Sequence, residues 1–273
     1  MIRALHRWPG LLALALVTIL SLSGAALSVF PAAERITAPQ SEAGMSVAVL
    51  VDGIQAVYPG VEQIRRSPSG RITAYWFDQG APGAAVIDPA TGAGVASADP
   101  NQALRWLTNL HRSLFLGDGG RIAMAAGAAA MLVLSLSGAM LVVRRAGGWR
   151  HWFAPLRGPL AGRLHVEIAR IAVIGLVLSS TTALWMTAST FDLLPDGGVL
   201  PADPTEVSGE IGFALDQMAT LLQTPVAELR ELSFPYPGDA TDVFTLKTDR
   251  GTGYLDQGTG ALVAWADLTG WER

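Results

Sequence analysis

Three runs without a single Asp, Glu, Lys or Arg, at residues 8–33, 122–143 and 171–191, limit what this chain can fold into. Each reaches the roughly 20 residues that a helix needs to cross a hydrocarbon core about 30 Å thick. Lipid offers backbone N–H and C=O groups no partners, so each run must satisfy its hydrogen bonds internally as a helix. Composition agrees: 50% of residues are hydrophobic, 15% are charged and mean hydropathy is +0.36. The first run reads as an uncleaved anchor rather than a signal peptide. Its apolar stretch is too long for a signal core, and no small-x-small cleavage site precedes Glu34.

Arginine placement predicts the orientation. Residues 144–165 carry Arg144, Arg145, Arg150, Arg157 and Arg163 with no acid, whereas the chain beyond 190 is dominated by acids. The positive-inside rule puts the arginine loop and the N-terminus, with Arg3 and Arg7, in the cytoplasm, and residues 34–121 and 192–273 outside. The net charge of −4 averages these two regions, and no basic nucleic-acid footprint is visible. Cysteine is absent, which excludes disulfides, thiolate metal sites, iron–sulfur clusters and covalently attached haem. Any metal must rely on histidine.

The chain also repeats itself. Asp88-Pro89-Ala90-Thr91-Gly92 recurs 168 positions later as Asp256-Gln257-Gly258-Thr259-Gly260, and Leu5-His6 before the first run recurs as Leu164-His165 before the third. Two copies of one unit are therefore expected. In the first outer segment the pattern predicts a helix at 46–58 and strands at 61–66, 71–77 and 84–88. In the second it predicts a helix at 207–222 and strands at 229–234, 242–248 and 253–256. Each copy is an α+β unit of about 60 residues, marginal alone, so it should dock on its partner copy or on the membrane helices.

The predicted fold class is thus a membrane α-helical protein with two periplasmic α+β units, internally duplicated. Its divisions are a span at 8–33, a unit at 34–100, an amphipathic pre-membrane segment at 101–121, a span at 122–143, the arginine loop at 144–165, a span at 166–191 and a second unit at 192–273. Ser-Leu-Ser-Gly-Ala stands in the first span at 21–25 and in the second at 135–139, and Ser179-Ser180-Thr181-Thr182 in the third. Small residues of this kind read as helix–helix contact faces. There is no Gly-x-Gly-x-x-Gly, phosphate-binding loop, Gly-x-Ser-x-Gly or His-Glu-x-x-His, so no flavin or nicotinamide site is recognisable in this chain.

Leu-His-Arg-Trp-x-Gly at 5–10, Leu-His-Arg-Ser-Leu-Phe-Leu-Gly at 110–117 and Leu-His at 164–165, set around span, α+β unit and span, resemble the PepSY-associated transmembrane family. The chain is similar to the membrane portion of bacterial inner-membrane siderophore reductases, and to proteins in which that portion is fused to a sulfite-reductase-like flavoprotein. The resemblance implies PepSY-like outer units, a bacterial inner-membrane location and an oxidoreductase. Its acceptor would be a ferric siderophore outside, and its donor a flavin-containing reductase. It also implies four spans, whereas three are visible. The position equivalent to His111 in the second copy falls just past Arg273, so the chain is expected to lack a fourth helix.

His6 and His165 lie at nearly equal depth at the cytoplasmic edge, an arrangement suited to an iron held by two imidazoles in haem b. His111 would supply one ligand of a second haem nearer the outside, its partner being on the further helix. Arg7 and Arg163 at the inner site, and Arg112 and Arg121 at the outer one, would pair with propionates, lipid headgroups being the alternative for all four. His151, without a counterpart, reads as an interface residue. Glu167 and Arg170 would neutralise each other, and Arg65 and Arg66 read as a solvated strand face. The competing reading is a non-catalytic, membrane-anchored PepSY module that binds a partner outside or restrains a peptidase.

Overall fold

The computed structural model describes residues 2–78, 80–99, 101–155, 157–194, 200–202, 204 and 206–268, with side chains from His6 onward except those at 9, 12 and 13. The expected approach to a further span at 269–273 lies outside these residues. The chain divides into two units. One holds residues 1–28 and 102–196 and is helical; the other holds 29–101 and 197–273 and contains the sheet.

In the helical unit, three helices are long and apolar enough to cross a membrane: α1 (Ile2–Thr37), α4 (Gly117–Ala146) and α5 (Leu160–Thr190). Their 36, 30 and 31 residues correspond to about 54, 45 and 46 Å. All three therefore outrun the charge-free runs at both ends, apart from the end of α5. A helix does not stop where charge begins; it stops where the backbone is broken. Gly147 ends α4 in the left-handed conformation (φ 84°), its N–H reaching the Val143 carbonyl. Extended Pro159 precedes α5. The division expected at 165/166 is thus wrong: His165 is on α5, not in the loop.

The amphipathic segment expected at 101–121 is likewise split. Helix α3 (Gln102–Ser113) ends in a corner where Leu114, Phe115 and Gly117 all have positive φ, and α4 follows at once. The corner fixes His111, on the last turn of α3, beside the membrane helices.

The sheet unit answers how two marginal α+β pieces become stable. Its strands are β1 (Val61–Arg66), β2 (Ile72–Asp78), β3 (Ala81–Ile87), β4 (Gly94–Ser97), β5 (Leu229–Ser233), β6 (Val243–Thr248), β7 (Gly251–Asp256) and β8 (Leu262–Asp267). They form one antiparallel sheet in the order β4-β3-β2-β1-β5-β6-β7-β8. Two four-stranded meanders therefore meet edge to edge, with Ile64 opposite Leu232 and Arg65 opposite Glu231. Helix α2 (Val47–Val57), capped by the Ser46 hydroxyl accepting from the Val49 N–H, lays Leu50, Val51 and Ile54 on the sheet. Ile64, Ile72, Ile87, Leu229, Leu232, Leu246 and Leu255 meet it there, all essentially buried.

The repeated Asp-x-x-Thr-Gly motif builds the same turn twice. Asp88 accepts from the Gly92 N–H through its carbonyl, and Asp256 does the same for Gly260. Both glycines are left-handed, at φ 69° and 70°. A Cβ on Gly92 would sit 2.1 Å from the Gly53 carbonyl oxygen, so no other residue fits. These turns launch β4 and β8, the two strands that hydrophobic patterning missed because they lie at the edges and bury little.

The helix expected at 207–222 is not formed as such. Only a 3-10 turn at Leu215–Gln217 and the short α6 (Ala219–Gln223) are helical. Gly209 and Gly212 take positive φ, and Ser208 donates its N–H and hydroxyl to Asp256, so tertiary hydrogen bonds win over helical ones. Burial alone would push the Asp256 carboxyl up. The bonds from Ser208 and Thr259 outweigh it and hold the pKa well below the carboxylate range.

At the β1–β5 seam Glu231 receives Arg65 Nε at 2.7 Å and Lys247 Nζ at 2.8 Å. Arg65 is therefore spoken for and is no free anion site. Burial raises the Glu231 pKa, but the two cations more than offset that and leave it below the ordinary value. A carboxylate with a lowered folded pKa contributes stability above its unfolded pKa and loses it as pH falls through the folded one. Unfolding of the full chain should show Glu231→Ala destabilised by about 1–2 kcal/mol at pH 7, since both cations are half-exposed. The difference from the parent should shrink below roughly pH 4.

Candidate functional site

A cavity of about 930 Å³ opens within the helical unit, between the first half of α1, the second half of α4 and the first half of α5. It is at the upper end of the roughly 300–1,000 Å³ of small-molecule and cofactor sites. Its walls are mostly aliphatic. Its polar groups are His6, His165, Ser135, Arg144 and Arg145. The His6 and His165 rings are 6.2 Å apart between centroids, at 70° to one another. A metal bound by two imidazoles sits about 2 Å from each nitrogen, which puts the ring centres about 6 Å apart. The centroid separation is thus the one that two imidazoles sharing one ion would have.

A second cavity of about 450 Å³ is lined by His111, Arg112, Arg121 and residues of α1, α4 and α5. Met131 and Leu176 line both cavities, so the two are stacked back to back within the bundle. No second histidine lines this outer cavity among the described residues. Burial holds the His111 pKa below the ordinary histidine value, which favours the neutral ring that metals bind.

Each of these two histidines is cradled by the same dipeptide. His6 Nδ1 is 3.1 Å from Ser137 Oγ, and His111 Nδ1 is 2.9 Å from Ser23 Oγ. A Cβ on Gly138 would stand 2.9 Å from His6 Cε1, and one on Gly24 3.0 Å from His111 Cε1. The two Ser-Leu-Ser-Gly-Ala segments are thus more than packing faces: each is a seat for a ring. The signal was present in the sequence, since the motif occurs twice and the chain offers a histidine for each copy, but spacing alone does not say which side chain fills a gap.

The expected arginines divide. Arg112 and Arg121 line the second cavity, Arg121 also pairing with Asp118 at 2.8 Å. Arg7 and Arg163 line neither. Both are exposed, and Arg7 lies over the Trp8 ring. Residues one and two positions from a histidine on a helix point to other faces. Their place is taken by Arg144 and Arg145 at the end of α4. His151 is exposed on the short turn Trp149–His151.

Residues 3–267 match the family model for the PepSY-associated TM region. The chain belongs to that family. Its three candidate spans make this PepSY-associated chain a membrane protein. No curated protein and no solved structure matches it significantly. The first cavity of this chain combines two neighbouring imidazoles, mostly aliphatic walls and two guanidinium groups.

Arg170 ties the loop to α5. Its buried guanidinium donates to Glu167 Oε1 and across to the Ala154 carbonyl, both at 2.9 Å, beyond the simple ion pair foreseen. Replacing Arg170 with Met should cost about 2 kcal/mol. It should also speed trypsin cleavage after Arg150 and Arg157 several-fold, measured on the detergent-solubilised chain.

Proposed function

We propose that this protein is a b-haem electron conduit of the bacterial inner membrane. It would take electrons from a cytoplasmic flavin or nicotinamide donor and deliver them to an acceptor outside, a ferric siderophore being the acceptor class that the family resemblance implies. The observation that carries the reading is the pair His6 and His165, facing each other at 6.2 Å across one cavity.

His6 and His165 would hold the inner haem, and His111 would give one ligand to an outer one. Haem supplies one-electron chemistry; the protein sets its position and potential. Arg144 and Arg145, at the mouth of the inner cavity, would pair with propionates, as would Arg112 and Arg121 at the outer cavity. That Met131 and Leu176 line both cavities supports a path through the bundle, since electrons would need to cross only one layer of side chains.

The arginine-rich 144–165 segment favours a cytoplasmic inner end by the positive-inside rule, with the sheet unit in the periplasm. The two meanders joined at β1 and β5, each with the same Asp-x-x-Thr-Gly turn, favour an origin by duplication.

A reduced-minus-oxidised absorbance spectrum of the purified chain, expressed with ample haem supply, tests the proposal. A low-spin b-type spectrum is expected, lost in His6→Ala and His165→Ala and altered in His111→Ala. A colourless protein, or colour indifferent to His6 and His165, overturns it in favour of a membrane-anchored binding module.

A further inference from the structure

Each Ser-Gly seat contains more information than ring placement, because the serine's single proton can be followed. Ser23 Oγ lies 2.7 Å from the Ile19 carbonyl, one turn back on its own helix, and Ser137 Oγ lies 3.2 Å from the Leu134 carbonyl. A carbonyl only accepts, so the Ile19 carbonyl, the nearer neighbour, takes the Ser23 proton; the Ser137 hydroxyl stands almost equally far from the Leu134 carbonyl and from His6 Nδ1, and that carbonyl is a hydrogen-bond partner of the His6 ring as well. What each hydroxyl then offers the imidazole is a lone pair. An N–H on Nδ1, the ring nitrogen facing it in both cases, lets every one of these donors meet an acceptor, and in a neutral ring Nε2 then keeps the free lone pair.

We infer that Ser137-Gly138 and Ser23-Gly24 are positioning residues that lock His6 and His111 in the Nδ1–H tautomer, turning a bare Nε2 toward a metal. The inference rests on the haem reading for the identity of that metal, but the proton assignment stands or falls without it. The glycine is the other half of the device. Its missing Cβ admits the Cε1 edge of the ring, so that the ring can come within hydrogen-bond reach of the serine one residue before. His165 has no such brace among the described residues; within the inner pair, His6 is the ligand with a fixed orientation.

Hydrogen-bonded orientation of a ligating histidine typically accounts for 10–100-fold in metal affinity. The test uses the full chain in nanodiscs with nitrogen-15-labelled histidine and without haem, at pH 8, where the rings are neutral. The His6 and His111 signals, assigned from His6→Ala and His111→Ala, should report protonated Nδ1 and bare Nε2. Ser137→Ala should move only the His6 signals toward the other tautomer and Ser23→Ala only those of His111. Ser137→Thr should restore the parent pattern, and Ser180→Ala, which removes a helix hydroxyl bonded to its own Leu176 carbonyl, should change neither. Protonated Nε2 in the parent, or a His6 signal indifferent to Ser137→Ala, overturns the inference whether or not haem binds.

Haem titration of the same proteins gives the second readout. Ser137→Ala and Gly138→Ala should each weaken binding at the inner site by about 10–100-fold, with a shifted midpoint potential in Ser137→Ala and recovery of both in Ser137→Thr. Loss of affinity in Gly138→Ala with unchanged affinity and potential in Ser137→Ala would reduce the seat to steric packing and overturn the hydrogen-bond role. Absence of haem binding in the parent together with the expected tautomers would instead sink the electron-conduit reading and leave the seat intact.

Discussion

A neutral imidazole between membrane helices carries one N–H and one lone pair, and hydrocarbon can satisfy neither. The helical unit is arranged around that constraint. Serine hydroxyls, themselves anchored to backbone carbonyls, take the Nδ1 side of His6 and His111, and the other nitrogen is left to the cavities. Glycines stand beside the serines because the ring must come within hydrogen-bond distance, and a methyl group would keep it away. An imidazole N–H without a partner in such a setting costs far more than the small packing gain of a serine–glycine stripe.

The sheet unit obeys a different constraint, that of an edge. Either meander by itself exposes β1 or β5, together with one side of a small core. Joining β1 to β5 pairs both edges at once and brings Ile64 and Leu232 into a common core beneath α2. Glu231, between Arg65 and Lys247, marks the join with charge and makes that register costlier to slip. The remaining edges, β4 and β8, are equivalent positions in the two halves, each entered through the same left-handed glycine turn.

Local patterning predicted much of this. Charge-free length announced three membrane helices, and alternation placed β1, β2, β5 and β6 within a residue or so, but the ends of the arginine loop at Gly147 and Pro159 were not read, because charge rather than backbone conformation was used to set them. The edge strands β4 and β8 escaped because four to six half-exposed residues have little periodicity. The helix expected at 207–222 failed because Ser208 finds a stronger partner in Asp256 than a helix could give it. Among the candidate site residues, His6 and His165 stood out because Leu-His recurs at 5–6 and 164–165. Arg7 and Arg163 were misplaced because nearness in sequence to a histidine is not nearness on a helix face, and Arg144 and Arg145 lie on another helix altogether.

The sequence by itself determined the membrane class, the family and the absence of thiol chemistry, because each follows from composition, local spacing or motif. Tertiary structure alone decided that His6 and His165 share a cavity 6.2 Å apart, that two meanders form one sheet, and which serine serves which histidine. Those partners are 88 residues apart in one case and 131 in the other. No local rule reaches that far: only the packing of one helix against another brings a donor and an acceptor from such distances to within a hydrogen bond.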